Sequence, residues 1–438
     1  MTDSRQIAHE LLMRVHDTDA YINLLVPKTL SRHNVADSER GLIQELSYGA
    51  LRWQLQYDSV IDHFTRGKEL SQPIRGALQL GLHQLFRMRV PTHAAINETV
   101  NLAKRIEPRA AGLVNAVLRN AEREGLEKLL SELTEGLAES RRLEILHSHP
   151  AWVIDSLRES LRIDGRESEL VQLLTANNET PETFLAASDK EAVAALVAQG
   201  LQASTQSPIG FQVDGNPEPY LSLGNIRVQD LGSQLVALVT TGLANLGGKT
   251  LDMCSGPGGK SAILQGRIRT SGGELDCMEP QEHRAELVRE ALGANPIGRV
   301  IVAPGQQADP NSYDTILLDA PCSGLGSVRR KPESRHRKKQ SQLASLSSIQ
   351  RELLEASYAA LKSGGVLVYA TCSPLIEETI TPVQDILAKH QDLELVDLKP
   401  VMKEISPDLH LNDSRKTIQL WTHLHGTDAM FMAALRKK

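Results

Sequence analysis

Four cysteines in 438 residues, at 254, 277, 322 and 372, are too few and too scattered for a disulfide framework. None falls in a Cys-x-x-Cys pair or a Cys/His cluster with zinc-ligand spacing, so no metal is expected. Aromatic residues make up 3% of the chain, which leaves the cores aliphatic and few rings spare for stacking on bases. No apolar run reaches the length of a membrane span, and the first ten residues lack a charged region followed by an apolar core. A cytoplasmic protein with reduced thiols and no membrane association is expected. Surplus cations are missing too. The formal net charge of −6 argues against a generally basic nucleic-acid binder, while leaving room for a local basic cleft.

What remains is a chain with 41% hydrophobic residues, long enough for two or three domains. From Asp3 to about Glu124 the apolar residues recur at spacings of three and four, as at Ile7, Leu11, Leu12 and Val15, and alternating strand patterns are absent. Residues 1–126 are therefore expected to form an all-helical domain. Arg105, Arg109, Arg119 and Arg123 near its end read most simply as a solvated helix face, with RNA contact as the alternative. Residues 127–227 read as an acidic, helix-prone connector, a further helix opening at His149-Pro150-Ala151, and a small mixed α/β subdomain beginning at Thr183. The second half of that subdomain, with Pro208, Gly210, Gly215, Pro217 and Pro219, is expected to be loop-rich.

From 228 to 438 short apolar strands alternate with helices, the pattern of a doubly wound, Rossmann-like α/β domain. Strands are expected at 250–253, 275–278, 300–302, 315–319, 366–371, 393–396 and 430–435. Helices are expected near 233–243, 283–292, 347–361 and 377–389. In such folds ligands bind where strands end.

Three strand ends carry reactive groups. The first runs into Asp252-Met253-Cys254-Ser255-Gly256-Pro257-Gly258-Gly259-Lys260-Ser261. A P-loop would need a glycine where Cys254 stands, so phosphate binding of that kind is disfavoured. The turn does allow backbone to approach a ligand closely, and Glu279, at the end of the next strand, is placed to accept ribose hydroxyls of a nucleoside cofactor. Asp319-Ala320-Pro321-Cys322-Ser323 and Tyr369-Ala370-Thr371-Cys372-Ser373 end two later strands. A thiolate can add to carbon-6 of a pyrimidine and so make carbon-5 nucleophilic toward an electrophilic methyl group. It needs a cationic neighbour to ionise at neutral pH, and Lys260 is a candidate. Cys254 and Cys277 read as small buried apolar residues. Chemistry alone does not decide which of Cys322 and Cys372 attacks.

These three motifs in this order resemble the RNA cytosine-C5 methyltransferases. Gln44–Gly49, Pro91–Val100 and Gly112–Arg119 look like the NusB-like helical domain of the bacterial Sun/Fmu-type (RsmB-like) enzymes that act on 16S ribosomal RNA. The resemblance implies a class I methyltransferase domain, preceded by an all-α NusB-like domain and a small α/β RNA-binding subdomain. It implies that Cys372 is the nucleophile, that Cys322 assists product release, that Asp319 binds the cytosine edge, and that Lys260 lies beside it. DNA cytosine methyltransferases use the Pro-Cys thiol instead. S-adenosyl-L-methionine would lie over Cys254, Ser255, Gly256, Pro257, Gly258, Gly259 and Lys260, with Asp319 nearby and Glu279 on the ribose. Relatives carry a Gly-Asp turn after the third strand, where this chain has Pro304-Gly305-Gln306-Gln307-Ala308-Asp309, so the adenine contact falls to Gln306 or Asp309. Phe184–Ser188 and Gly426–Phe431 also depart from the family's pattern. The expected partner is RNA, free or in an early ribosomal particle, and the expected state is a monomer.

After Gly326 comes Arg329-Arg330-Lys331-Pro332-Glu333-Ser334-Arg335-His336-Arg337-Lys338-Lys339, seven cations against one acid. Beside the catalytic motif it reads as an RNA approach, with Arg329, Arg330 and Lys331 on phosphates. A non-catalytic RNA-binding or ribosome-assembly factor is the alternative of another class; joint retention of Lys260, Asp319, Cys322 and Cys372 argues against it.

Overall fold

A computed structural model describes residues 3–33 and 35–438. Contacts divide the chain into two compact units, which do not follow the divisions expected at residues 126 and 227. One comprises residues 1–158, 170–179 and 328–338; the other comprises 159–169, 180–327 and 339–438.

The first unit is helical, as the 3.6-residue periodicity requires. Helices Ser4–Asp17, Asp37–Arg52 and Gln72–Arg87 enclose Ile7, Leu11, Leu12, Leu46 and Leu80, all buried. Each such side chain contributes about 1.5–3 kcal/mol on leaving water. The acidic stretch read as a connector is part of this unit: helices Leu126–Thr134 and Glu139–His147 form there, and Leu129 is buried in the same core as Val114 and Leu118.

The second unit holds two sheets. Strands β1 (Thr183–Ala187), β2 (Ala203–Ser204), β3 (Ser207–Val213) and β4 (Ile226–Val228) form an antiparallel sheet in the order β2-β3-β1-β4. Pro208 and Gly210 thus lie in a strand rather than a loop. Proline is tolerated because the β2–β3 register shifts beside it, at a bulge where no ladder donor is required.

The larger sheet has eight strands: β5 (Lys249–Asp252), β6 (Glu274–Met278), β7 (Val300–Ile301), β8 (Tyr313–Asp319), β9 (Leu361–Thr371), β10 (Leu393–Val396), β11 (Ile418–Gln419) and β12 (Phe431–Lys437). Their order is β10-β12-β9-β8-β5-β6-β7, with β11 beside β12. Strands β5 to β9 run parallel, and β12 is antiparallel to β9. From β5 the chain winds outward through β6 and β7, then returns to place β8 on the other side of β5. That reversal opens a crevice at the carboxyl ends of β5 and β8. Aspartates terminate both strands: Asp252 and Asp319. The register pairs Asp319 with Ala370, so Cys322 and Cys372 emerge from neighbouring strand ends. No helix among the described residues is long and apolar enough to cross a membrane.

Candidate active site

The turn after β5 is shaped by two glycines. A Cβ on Gly256 would lie 2.2 Å from Glu279 Oε2, and Gly258 has φ +96°, with an added Cβ 2.4 Å from that of Ala291. Only glycine allows the turn to pass this close to the end of β6 and the helix that follows. A cavity of about 260 Å³ lies against it, lined by Asp252, Cys254, Ser255, Gly256, Pro257, Gly259, Lys260 and Asp319, together with Arg227, Val228, Gln229 and Ser233. Seven of the sequence-predicted cofactor residues are therefore gathered around one space.

Glu279 and Gln306 are not part of that lining. Glu279 is buried just behind Gly256, its Oε1 accepting from Gln281 N at 3.0 Å and its Oε2 lying 3.5 Å from Arg284 Nε. Arg284 also donates to Gly256 O at 2.6 Å, locking the acid and the turn together. Gln306 is exposed on the short turn Gly305–Gln307, and Asp309 is exposed with Arg299 3.8 Å away.

Lys260, in the first turn of the helix after the glycine turn, donates to Asp319 Oδ2 at 2.6 Å. Burial alone would lower its pKa, but Asp319, Cys372 and Asp252 outweigh that and raise it, so the ammonium is held charged. Asp252 is buried, and its carboxyl is pushed up to about 7 by desolvation despite the hydroxyl Ser261 donates to it at 2.7 Å. Burial also pushes the Cys254 and Cys277 thiols up; Cys277 is buried in the core, whereas Cys254 is half-buried and lines the cavity.

The two remaining thiols meet. Cys322 Sγ and Cys372 Sγ lie 3.3 Å apart, within hydrogen-bond range for sulfur. The neighbouring Cys372 sulfur, then burial, then the Glu378 carboxylate raise the Cys322 pKa well above its ordinary value, which keeps it a thiol. Their loops are tied by Ala320 N to Ala370 O and Gly326 N to Cys372 O, both 2.9 Å. Arg284, Gln229 and Glu378 were not singled out from sequence. Glu378 was legible only as one of two acids at the expected start of a helix.

The basic segment expected to approach RNA packs into the helical unit instead. Residues 328–338 belong to the helical unit, not to a solvent-facing loop. Arg329 is 6% exposed, Arg335 is fully buried, and Arg330 and Lys331 are half-buried. Arg335 donates to Ser148 O, Asn177 O and Asn178 Oδ1, and Arg337 to Thr18 O, Asp19 O and Ala20 O. The helix-end and loop carbonyls of the unit take up these cations, because buried acceptors need donors.

Residues 244–436 match the family model described as 16S rRNA methyltransferase RsmB/F, and residues 2–123 match that of the NusB family. The chain is 35% identical, over 99% of its length and 96% of the relative's, to a Mycobacterium tuberculosis protein whose name places it only among the methyltransferases. It is 34% identical, over 90% of its length and 88% of the relative's, to ribosomal RNA small subunit methyltransferase B of Pseudomonas syringae. A methyltransferase homologue from Pyrococcus horikoshii shares the fold at a TM-score of 0.54, with 22% identity over 69% of this chain and 100% of that one. The crevice at the β5/β8 reversal and the cavity against the glycine turn fit a nucleoside-bearing methyl donor, while Glu279, expected on the ribose, is buried behind Gly256 and shapes the turn instead. The chain belongs to the RsmB/F family of S-adenosylmethionine-dependent methyltransferases, with an amino-terminal NusB-family domain.

Proposed function

We propose that the protein methylates carbon-5 of a cytosine in 16S ribosomal RNA through a covalent bond between Cys372 and carbon-6 of the base. The observation that carries this is the meeting of two thiols, 3.3 Å apart, with the Lys260–Asp319 ion pair at adjoining strand ends. An amino-group methyltransferase needs no thiol; two at one site point to covalent activation of a pyrimidine ring. The relative from Pseudomonas syringae is named for ribosomal RNA, which supports the substrate.

Lys260, held charged, lends the Cys372 thiolate a cationic neighbour. Asp319, oriented by Lys260, is left with acceptor capacity for the exocyclic amine of cytosine. Addition of Cys372 Sγ to carbon-6 makes carbon-5 nucleophilic. Cys254–Pro257, Gly259 and Lys260 would hold S-adenosylmethionine, whose sulfonium would supply the electrophilic methyl group and leave as a neutral thioether. A proton then leaves carbon-5 to a base, its bonding pair forms the carbon-5–carbon-6 double bond, and the pair of the carbon-6–sulfur bond returns to Cys372. Cys322, as a thiol, donates a hydrogen bond to that departing sulfur. The base must leave its stack to reach this site.

Bisulfite sequencing of ribosomal RNA from cells with and without the protein tests the reaction. One cytosine losing its methyl group in the deletion, and regaining it with wild-type protein but not with Cys372→Ala, is the expected result. Full methylation by Cys372→Ala would exclude this nucleophile.

A further inference from the structure

A carboxylate outside the motifs ties the two thiol loops together. Glu378 lies in the short turn Ile376–Glu378, six residues beyond Cys372, and is completely buried. Its Oε1 accepts from the backbone N of Ser323 at 2.6 Å and its Oε2 from the Ser323 hydroxyl at 2.5 Å. Gln350 Nε2 lies 3.4 Å from Oε1 and also donates to Pro321 O at 3.0 Å. Tyr369, on β9, donates its hydroxyl to the Glu378 carbonyl at 2.7 Å and so fixes the turn itself. Ser323 Oγ and Ser373 Oγ are 3.3 Å apart. Since the single Ser323 hydroxyl proton is committed to Glu378, Ser373 is the donor in that contact. Each serine is the residue immediately after a thiol.

Buried carboxylates are uncommon because desolvation is costly, and they persist where several donors converge on them. Here the two short hydrogen bonds come from Ser323 in the loop of Cys322, with Gln350 of the helix Leu343–Ala360 beside them, while the carboxylate is carried by the loop of Cys372. Glu378 is not among the residues that line the cavity at the glycine turn. What it sets is the distance between the two sulfurs.

We infer that Glu378 is a positioning residue that holds the Cys322 thiol against Cys372 Sγ, and that it acts on release of the methylated base rather than on attack. The inference rests on the covalent mechanism proposed above. In the release step, the carbon-5 proton goes to a base, its electron pair forms the ring double bond, and the carbon-6–sulfur pair goes to Cys372, with Cys322 donating a hydrogen bond to the new thiolate. Protons and electrons balance without a redox partner. Loosening the clamp withdraws that donor and leaves Cys372 free to attack.

The test uses full-length protein, an unmodified 16S ribosomal RNA transcript and radiolabelled S-adenosylmethionine. Three quantities are read for wild type, Cys322→Ala, Glu378→Gln and Ser323→Ala: single-turnover methyl transfer, steady-state turnover, and RNA–protein adduct surviving denaturing electrophoresis. Glu378→Gln keeps the shape but loses the charge, and is expected to lower steady-state turnover by about tenfold or more while single-turnover transfer stays within about threefold and adduct accumulates. Ser323→Ala keeps the backbone donor and should move the same way by less; it decides the matter if Glu378→Gln fails to fold by circular dichroism. Equal loss of transfer, turnover and adduct in a folded variant would make Glu378 merely structural, and unchanged turnover would remove it from the reaction. If Cys322→Ala forms adduct and neither clamp variant accumulates it, only the Glu378 assignment falls. If neither wild type nor Cys322→Ala forms adduct under any condition, the covalent mechanism itself falls.

Discussion

Two adjoining segments, Asp319–Ser327 and Val328–Lys338, are both polar, both follow β8, and end up with opposite uses. In the first, polar atoms face a cavity or another thiol: Asp319 lines the cavity against the glycine turn and Cys322 lies against Cys372. In the second, polar side chains turn to helical-unit backbone, as with Arg335 to Ser148 and Asn177 and His336 to Leu51. Sequence proximity to a catalytic motif therefore says little about whether a charge is available to a ligand. What separates the two is the supply of buried acceptors around them.

The sharpest way to break that contrast is at Lys260. Lys260→Met should lower kcat by about 10²–10³-fold with little change in unfolding midpoint, the usual cost of removing a preorganised charge at a reacting centre. Arg335→Met should do the reverse. It leaves three acceptors unpaired at about 1–3 kcal/mol each, partly offset by no longer burying a charge, for a net loss of about 3 kcal/mol in urea unfolding of the helical unit. A Lys260→Met protein that unfolded early, or an Arg335→Met protein of unchanged stability, would erase the distinction.

Acidity separates the units in opposite directions. Burial, then Arg335, depresses His336 from 6.5 to about 3, so the stability it allows is complete above 6.5 and is lost as pH falls toward 3. Burial raises Asp252 from 3.8 to about 7, so the stability associated with its neutral form is complete below 3.8 and is lost as pH rises toward 7. His336→Gln should flatten the acid-side loss in the helical unit, and Asp252→Asn the rise-side loss in the catalytic unit, each measured by hydrogen exchange in its own unit across pH 3 to 8. Crossed or absent effects would show that burial of these groups is not what sets the slopes.

The smallest effect is expected where a phosphate-contacting loop once seemed most natural. Arg330→Gln with Lys331→Gln should change the RNA dissociation constant by less than about threefold and the salt slope by less than about one. A larger drop, measured by binding at several salt concentrations, would return this segment to the RNA surface.

The catalytic sheet was legible because its signals are local. Seven expected strands match β5 to β10 and β12; Asp252, Asp319, Cys322 and Cys372 sit within three residues of a strand end, and Lys260 lies in the first turn of the helix after β5. The glycine turn, Lys260, Asp319, Cys322 and Cys372 needed only period and punctuation to be found. Glu378 was hidden because its meaning depends on Ser323, 55 residues away in the chain, and an acid doublet before a helix carries no sign of that. The fate of Arg335 depends on Ser148, 187 residues away. Pro208 misled in a similar way, since a strand can accept proline at a bulge that only its partner creates.

By itself the sequence determined the helical and α/β regions, the strand ends, and the thiols, acids and lysine gathered on them. Only the tertiary structure decided that Cys322 and Cys372 meet, that Glu378 clamps their loops, and that Arg329 and Arg335 are buried in the helical unit. The physical reason is range: backbone periodicity and turn chemistry act over a few residues, whereas buried hydrogen-bond pairing is settled only when distant segments exclude water together.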